Sequence, residues 1–380
     1  MSTEAVVSAI KESVPTGMAL RIAGRSTWLD AGRPVRATKT ISLRDDSGVV
    51  GYVPGDLTLT VRAGTPLSEI ERVTKEHNQW LPLDPYGSPD GTIGATIATA
   101  SAGPLSTGFG LPRDLLLGLE FVNGRGQVVR GGGKVVKNVA GFDLSRLMTG
   151  SWGTLGVITE VTLRLYALPA IDRTFSITLA GDKHEVAALI HAIATSPVSP
   201  YALQLLSRSA ARALGLGNNP VCVIRFGGNE AVVNSQLIAL SQVSRPEENK
   251  SSLWGRLRQL EANADTTIRI SGLPTKVLAG SATIIRDDIH LVYTYIDPRR
   301  GTLRIVLRAD ETDGIHSTGA IESAGDFHTT GNGYSEVIFE KLPPEVWSGV
   351  SPSVVSDGLS QGVKRAFDPH NILNPGILGD

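Results

Sequence analysis

A run of small residues from Gly91 to Gly103 constrains this chain more than any other feature of its sequence. Every position of the run except Ile93 and Ile97 is Gly, Ala, Ser or Thr. Such backbone can lie flat against a large planar or phosphorylated ligand, because glycine has no Cβ to hold the ligand off. The alternative is a tightly packed buried loop, although packing alone rarely needs so long a run. We therefore predict ligand contact here, and no normal amphipathic element between Gly91 and Gly110.

Regular patterns stand on both sides of this run. Alternating apolar residues predict strands at 57–61, 117–121 and 157–165. Thr65 predicts a helix N-cap with Pro66 at the first helical position, and the helix ends before Trp80. Asn123-Gly124 predicts a hairpin whose return strand contains Val128 and Val129.

Glycines at 150, 153 and 156 immediately precede the strand at 157–165. Their spacing loosely resembles a dinucleotide fingerprint, but that fingerprint follows a strand and opens a helix. Here a predicted helix comes before the glycines and a strand comes after them. The order disfavours a nicotinamide-binding Rossmann domain. Ligand contact and a plain glycine-rich turn both remain open for these glycines.

Two further segments could bind an anion. Ala23–Thr27 is a small-residue turn after a predicted strand, and consecutive N–H groups in such a turn form an anion-binding nest. A turn without a ligand is the more common case. Arg113 follows the small-residue run and could place its guanidinium on a pyrophosphate. It could equally form a surface pair with Asp114.

The second half of the chain predicts a separate domain. Strand patterns at 175–179, 221–226, 267–270, 291–295 and 303–307 alternate with helical patterns at 185–194, 230–240 and 251–262. This mixture predicts an α+β domain with an antiparallel sheet. Near the end, a helical face from Val355 to Phe367 is stopped by Asp368-Pro369.

Bulk properties exclude several classes of protein. The chain has 380 residues and a formal net charge of -1, which favours about two globular domains and no nucleic-acid partner. The single cysteine, Cys222, cannot form an internal disulfide and lies in an apolar run as a buried small hydrophobe. No apolar stretch approaches the ~18 residues of a membrane helix, and no secretory signal is recognisable. These features predict a cytoplasmic protein that does not insert directly into the membrane.

The segment from Gly133 to Glu160 resembles the FAD-binding domain of the vanillyl-alcohol-oxidase and p-cresol-methylhydroxylase superfamily. Within that superfamily the chain is similar to the FAD-binding subunits of bacterial glycolate oxidase (glycolate dehydrogenase). Four other segments match this pattern: Leu59–Leu67, Gly91–Gly103, Leu253–Glu261 and Phe367–Gly376. The resemblance is strong across residues 55–168 and at the C-terminus, and thin through the middle.

The resemblance implies a fold and a set of cofactor contacts. The expected class is α+β, with a two-subdomain p-cresol-methylhydroxylase-type FAD-binding domain and a smaller ferredoxin-like α+β cap. It divides the chain into 1–168 (subdomains split near 55–60), a cap at 169–345, and a helix and tail at 346–380 that return to the FAD domain. The residues implied to contact FAD are Gly24, Arg25, Ser26, Thr27, Thr92, Ile93, Gly94, Ala95, Thr96, Ser101, Gly103, Arg113, Gly150, Gly153, Gly156, Ile158 and Asn374.

This sequence departs from the family pattern at two places. Ala23, Arg25 and Ser26 occupy a loop that usually holds more glycine, which leaves the phosphate contacts open. Trp152 stands where a smaller or acidic residue is common. No histidine or cysteine lies at 21–28, so we expect FAD to be held non-covalently.

Catalytic groups are harder to find than cofactor contacts. None of the seven histidines has an obvious metal-site spacing, and one cysteine cannot hold an iron–sulfur cluster. We therefore predict no metal. His316 and His328, with Glu322 between them, are candidate substrate-facing groups, and exposed loop residues are the alternative.

Three hypotheses of function follow. The first is an FAD-binding subunit that oxidises glycolate or another small 2-hydroxy acid together with a larger FAD-linked subunit and an iron–sulfur subunit. Those partners would hold it peripherally at the inner membrane. The second is a self-sufficient hydroxy-acid or alcohol oxidase or dehydrogenase. The third is a scaffold whose flavin site has decayed. A bulky residue at Gly94 is expected to empty the flavin site under the first two hypotheses.

Overall fold

The computed structural model describes residues 1–133, 143–262, 264–286, 292–307, 334–350 and 357–379. In chain order the helices are α1 (Thr3–Ser13), α2 (Leu67–Lys75), α3 (Ile93–Thr99), α4 (Ser106–Phe109), α5 (Pro112–Leu115), α6 (Leu144–Met148), α7 (Lys183–Thr195), α8 (Arg208–Ala213), α9 (Glu230–Ser241), α10 (Ser252–Gln259), α11 (Pro274–Ile284) and α12 (Gly358–Phe367). The strands are β1 (Leu20–Ala23), β2 (Lys39–Ser42), β3 (Val49–Val53), β4 (Thr58–Arg62), β5 (Gln79–Trp80), β6 (Leu116–Asn123), β7 (Val128–Gly132), β8 (Gly156–Arg164), β9 (Tyr166–Ala167), β10 (Ile171–Thr178), β11 (Ala202–Leu206), β12 (Val221–Gly228), β13 (Glu247–Asn249), β14 (Thr266–Gly272), β15 (Val292–Asp297), β16 (Thr302–Leu307) and β17 (Tyr334–Lys341). Across the described residues, every helix is too short or too polar to cross a bilayer.

The chain divides into two compact units. Unit 1 contains residues 1–103, 109–168 and 348–380, and unit 2 contains residues 104–108 and 169–347. Each unit has its own hydrophobic core. The chain therefore leaves unit 1 and returns to it more than once, and the C-terminal segment belongs to the same unit as the N-terminus.

Unit 1 is built on two sheets. A five-stranded sheet has the order β3-β4-β8-β6-β7, and all of its pairs are antiparallel. The second is the parallel pair β1-β2, which the C-terminal tail extends through a parallel bridge between Leu20 and Leu373. The subdomain split predicted near 55–60 falls inside the five-stranded sheet, because the exposed edge strand β3 already pairs with β4.

Unit 2 carries an eight-stranded sheet of order β13-β10-β12-β11-β15-β16-β14-β17. Every neighbouring pair in it is antiparallel, as the sequence predicted. One face is apolar and packs against helices such as α7 and α11 to form the core. The sequence did not predict strands β11, β13 and β17 or helices α8 and α11.

Two local predictions were wrong in detail. Pro66 is the N-cap of α2 and not its first helical residue, since its ψ of 149° is extended. The Thr65 hydroxyl does not cap that helix; it donates to the Arg62 carbonyl at 2.7 Å and accepts from the Gly48 N–H at 2.9 Å. Within 91–110, where no normal amphipathic element was expected, residues 93–99 form helix α3 and residues 106–109 form α4.

The predicted hairpin between β6 and β7 is confirmed, although Asn123 closes it with its side chain. The Asn123 carboxamide oxygen accepts from the N–H groups of Arg125 and Gln127, both at 3.0 Å. An asparagine that hydrogen-bonds the backbone a few residues on is a common way to start a turn.

Candidate functional site

A cleft in unit 1 collects most of the small-residue segments that the sequence singled out. Its walls are the loop after β1, helix α3, the turn that leads into β8, and the C-terminal tail. The residues lining it are Arg21, Ile22, Ala23, Gly24, Arg25, Ser26, Thr27, Trp28, Leu29, Ala31, Val35, Leu43, Ala63, Thr92, Gly94, Ala95, Ala98, Thr99, Trp152, Gly153, Gly156, Ile158, Asn374 and Ile377. Arginines and backbone donors thus face the cleft, while none of these described lining residues is acidic, histidine or cysteine.

The loop after β1 contains the turn that the sequence marked as a candidate anion-binding nest. Ser26 has φ 62°, in the left-handed region that such nests use. Among the described residues, no acceptor receives the N–H groups of Arg25, Ser26 or Thr27. The Arg25 carbonyl accepts a hydrogen bond from the Arg44 guanidinium at 3.1 Å. Donors without a protein acceptor, next to two arginines in the cleft lining, fit a phosphate or pyrophosphate group.

Helix α3 is buried on one side and borders the cleft with small side chains. Ile93, Gly94, Thr96 and Ile97 are buried in unit 1. The exposed Ala95 and the half-buried Ala98 and Thr99 line the cleft, and Gly94 also borders it. The Thr92 hydroxyl caps the helix by accepting from the Ala95 N–H at 3.3 Å. Close packing therefore accounts for part of the small-residue run, and ligand contact stays a prediction for the residues that line the cleft.

Close packing explains the glycines at 24, 94 and 103. A Cβ at Gly94 would lie 2.8 Å from the carbonyl oxygen of Ala63, the residue after β4, so α3 could not approach that backbone as closely. A Cβ at Gly24 would lie 2.3 Å from the Thr92 hydroxyl oxygen, and one at Gly103 would lie 1.7 Å from the Asp84 carbonyl oxygen. A bulky residue at Gly94 would therefore disturb the fold as well as the cleft, and it is a poor test of flavin binding.

The turn at 150–156 forms another part of the cleft wall. Its N–H groups reach back to α3, with Gly150 donating to the Ile97 carbonyl at 3.0 Å and Trp152 to the Ala98 carbonyl at 2.8 Å. The Trp152 ring lies 6.1 Å from that of Trp28, with the planes inclined by 42°. Sequence reasoning did not pick out Trp28, Ala98 or Thr99 as cleft residues.

The structure brings eleven of the predicted cofactor-contacting residues together in the cleft: Gly24, Arg25, Ser26, Thr27, Thr92, Gly94, Ala95, Gly153, Gly156, Ile158 and Asn374. Five others pack beside the cleft without lining it: Ile93, Thr96, Ser101, Gly103 and Gly150. Arg113 also lies outside the lining, with its side chain exposed and 4.0 Å from Asp114. The cofactor roles of all these residues stay predictions.

None of the described residues that line the cleft is an obvious catalytic base. The candidates His316, His328 and Glu322 lie outside the described residues. The described histidines at 77, 184, 191 and 370 are exposed and do not line the cleft. Within the described ranges, no group of three or more His, Cys, Asp or Glu residues could hold a metal ion.

Comparison with known proteins identifies the class of ligand. Residues 1–132 match the family described as FAD binding domain. The glycolate oxidase subunit GlcE of Escherichia coli (strain K12) is 39% identical over 169 residues, which cover 44% of this chain and 48% of that protein. The D-2-hydroxyglutarate dehydrogenase of Xanthomonas citri pv. viticola is 26% identical over 428 aligned positions, which cover 99% of this chain and 87% of that protein.

Solved structures give the same fold. The chain superposes on p-cresol methylhydroxylase with substrate bound at a TM-score of 0.75, covering 100% of this chain and 87% of the other, with 16% sequence identity. The predicted α+β class with a p-cresol-methylhydroxylase-type FAD-binding domain is confirmed. FAD as cofactor is also confirmed by the family match, and the unpaired donors and small-residue walls of the cleft fit its diphosphate and its flat rings. Non-covalent attachment stays a prediction.

Proposed function

Because the chain is an FAD-binding oxidoreductase related to 2-hydroxy acid dehydrogenases, we propose that it is the FAD-binding subunit of a glycolate-oxidising dehydrogenase complex. The complex would convert glycolate to glyoxylate. The proposed partners are a larger FAD-linked subunit and an iron–sulfur subunit that takes the electrons onward. Association of the complex with the inner membrane would come through these partners.

The cleft residues would bind and orient the cofactor. The N–H groups of Arg25, Ser26 and Thr27, with the Arg25 guanidinium, would hold the diphosphate. The short side chains of Ala95 and Ala98 would let the cofactor lie against α3. When bound, FAD would supply the oxidant that takes a hydride from the carbon bearing the substrate hydroxyl.

The chemistry of the cleft lining carries the proposal. Oxidation of a 2-hydroxy acid also needs a base for the hydroxyl proton and a cation for the carboxylate. The described lining offers arginines but no carboxylate, histidine, lysine or tyrosine. Such a cleft is equipped to hold a flavin cofactor and poorly equipped to take a proton. Similarity to a protein named as a glycolate oxidase subunit points the same way.

A second candidate is a self-sufficient hydroxy-acid dehydrogenase. Its support is the alignment with D-2-hydroxyglutarate dehydrogenase, which extends over 99% of this chain. Under this alternative the base would come from residues outside the described ranges, with His316 and His328 as first choices. The two candidates differ in whether the isolated chain reduces its own flavin.

The first experiment is the visible absorption spectrum of the purified chain, recorded anaerobically before and after addition of glycolate. The proposal expects a flavin spectrum that glycolate alone does not bleach. Bleaching should appear when the partner subunits are co-expressed and purified with the chain. D-Lactate and D-2-hydroxyglutarate are tested in parallel to define the substrate class.

Each other outcome has a definite meaning. Bleaching of the isolated chain by any of the three acids would support the self-sufficient dehydrogenase and reject the subunit proposal. A chain that binds no flavin even after supplementation with FAD would favour the decayed scaffold. Dithionite reduction of the same sample is the control that the bound flavin can be reduced at all.

A further inference from the structure

Asn374 joins three segments of the cleft that are far apart in sequence. Its side chain is 4% exposed. Its carboxamide oxygen accepts from the N–H of Ile22, 352 residues away, at 2.8 Å. Its carboxamide nitrogen donates to the Trp152 carbonyl at 2.8 Å, and its backbone N–H donates to the Leu20 carbonyl at 2.9 Å. One side chain thus connects β1, the tail and the turn before β8.

The turn that Asn374 holds has an unfavourable backbone conformation. Trp152 has φ 53° and Gly153 has φ 72°. A bulky residue rarely adopts the left-handed region, and it stays there only where surrounding contacts enforce it. Trp152 has such contacts on both sides, since its N–H bonds to Ala98 and its carbonyl accepts from Asn374. Both Trp152 and Gly153 line the cleft, so their conformation shapes the surface that receives the cofactor.

The lack of a side chain at Gly153 leaves room for the Asn374 carboxamide. A Cβ at Gly153 would lie 2.8 Å from the Asn374 carboxamide nitrogen. The glycine is therefore required twice, once by its positive φ and once by the closeness of the asparagine. The Asn374 carboxamide donates one N–H to Trp152 and accepts through its oxygen from Ile22. Both partners line the cleft, so these hydrogen bonds hold the cleft wall.

We propose that Asn374 is a positioning residue of the FAD site, which fixes the Trp152–Gly153 turn against β1 and so sets the shape of the cleft. This role goes beyond the proposed function and does not depend on it. It concerns only the binding of FAD, whichever substrate is oxidised.

The first test is Asn374→Asp, which keeps an oxygen for the Ile22 N–H but places an oxygen against the Trp152 carbonyl. The dissociation constant for FAD is measured on the purified full chain by flavin fluorescence, and the Tm of the FAD-free protein is measured separately. We expect the Kd to rise at least about tenfold, because a buried donor is lost and replaced by repulsion. A wild-type Kd for Asn374→Asp would overturn the proposal.

Asn123→Ala is the matched control. Asn123 is a buried asparagine of the same unit, with two backbone hydrogen bonds to its side-chain oxygen, and it does not line the cleft. It should lower the Tm of the FAD-free protein and leave the FAD Kd unchanged. If it raised the Kd as much as Asn374→Asp does, the effect at Asn374 would be general destabilisation and not positioning.

A double-mutant cycle of Gly153→Ala and Asn374→Ala tests the contact itself. Gly153→Ala alone should raise the FAD Kd, since its methyl group displaces the carboxamide. In the Asn374→Ala background that clash is absent, so the same change should raise the Kd by a smaller factor. If the increase in FAD Kd of the double variant equalled the product of the two single increases, the two residues would act independently and the proposal would be rejected. Should no variant at 374 fold, Gly153→Ala with an unchanged Kd would also reject it.

Discussion

At the scale of single residues, Glu120 shows how a buried charge is stabilised in unit 1. Its carboxylate accepts from the hydroxyls of Thr3 at 3.1 Å and Thr159 at 2.9 Å, and from the Arg130 guanidinium at 2.7 Å. It therefore links the first turn of α1 to strands β6, β7 and β8. Burial by itself would raise the pKa of Glu120, but the hydrogen bonds from Thr159, Arg130 and Thr3 together outweigh it, and the pKa lies below its ordinary value.

This pKa shift predicts a pH-dependent effect of Glu120→Gln. A carboxyl group with a lowered pKa stabilises the fold above its unfolded-state pKa, and that stabilisation is lost as pH falls through the folded-state pKa. We expect Glu120→Gln to reduce the free energy of unfolding by about 1–3 kcal/mol at pH 7. The difference from wild type should shrink as pH falls below about 4. Urea unfolding at a series of pH values measures it.

Glu160→Gln serves as the control for this prediction. Glu160 lies opposite Glu120 in the β6–β8 pairing, but its side chain is 26% exposed and its only described ion pair is with Arg62 at 3.3 Å. Its replacement should cost less than about 1 kcal/mol at pH 7. Equal losses of unfolding free energy in the two variants would contradict the assigned charge state of Glu120. A loss in Glu120→Gln that stays the same at acid pH would contradict it as well.

At the scale of secondary-structure elements, helix α3 illustrates how one short segment serves two purposes. The helix begins after its N-cap Thr92 and ends at Thr99, and its C-cap Ala100 has φ 51°. The buried side fits against the backbone of Ala63 only because Gly94 lacks a Cβ. Ala95, Ala98 and Thr99 offer small side chains to the cleft. A change on either face should therefore have a different and recognisable effect.

Ala95→Leu and Gly94→Ala form a matched pair of variants on adjacent residues. Ala95 is exposed and lines the cleft, so leucine should leave the Tm of the FAD-free protein within a few degrees of wild type while abolishing FAD binding. Gly94→Ala should lower the Tm of the FAD-free protein, because the added Cβ meets the Ala63 backbone. Thermal unfolding with and without FAD distinguishes them, and a reversal of the two results would refute the assignment of the faces.

At the scale of the whole molecule, the two units have separate cores with different polar features. Unit 2 contains a buried ionic network in which Arg304 donates to Glu261 and to Glu340, each at 2.7 Å. Arg269 donates to the other oxygen of Glu340 at 2.8 Å. Burial would raise the pKa of Glu340, yet the two arginines outweigh it and hold the pKa below its ordinary value. Removing one member of such a network leaves a buried charge without its partner.

This arrangement predicts that Glu340→Ala destabilises unit 2 by about 3–5 kcal/mol. Calorimetry should then show a lower-temperature transition in the variant that FAD does not shift, since FAD stabilises only the unit that binds it. Glu248→Gln is the control: Glu248 pairs with Arg173 at 2.7 Å but is 54% exposed, so its loss should cost no more than about 1 kcal/mol. A single transition that FAD raises equally in all three proteins would show that the units do not unfold separately.

Local patterns in the sequence predicted most of the helices and strands, because the spacing of apolar residues that favours them lies within each segment. Alternation of apolar residues identified β4, β6 and β8, and the order of helix, glycine-rich turn and strand disfavoured a Rossmann arrangement. Small residues also marked the segments that line the cleft. The resemblance to known FAD-binding domains added the cofactor, which no periodicity could have supplied.

What the sequence by itself determined is therefore the class of fold, the cofactor and the segments that serve it. Only the tertiary structure decided which residues of those segments line the cleft and which pack behind them, as Ala95 and Ile93 do on α3. It also decided the positive φ of Ser26 and Trp152 and the hydrogen bonds of Asn374 to Ile22 and Trp152. These features depend on contacts between residues as distant as 22 and 374. Neither spacing nor composition encodes such contacts, because they arise only when the folded chain brings its two ends to one sheet.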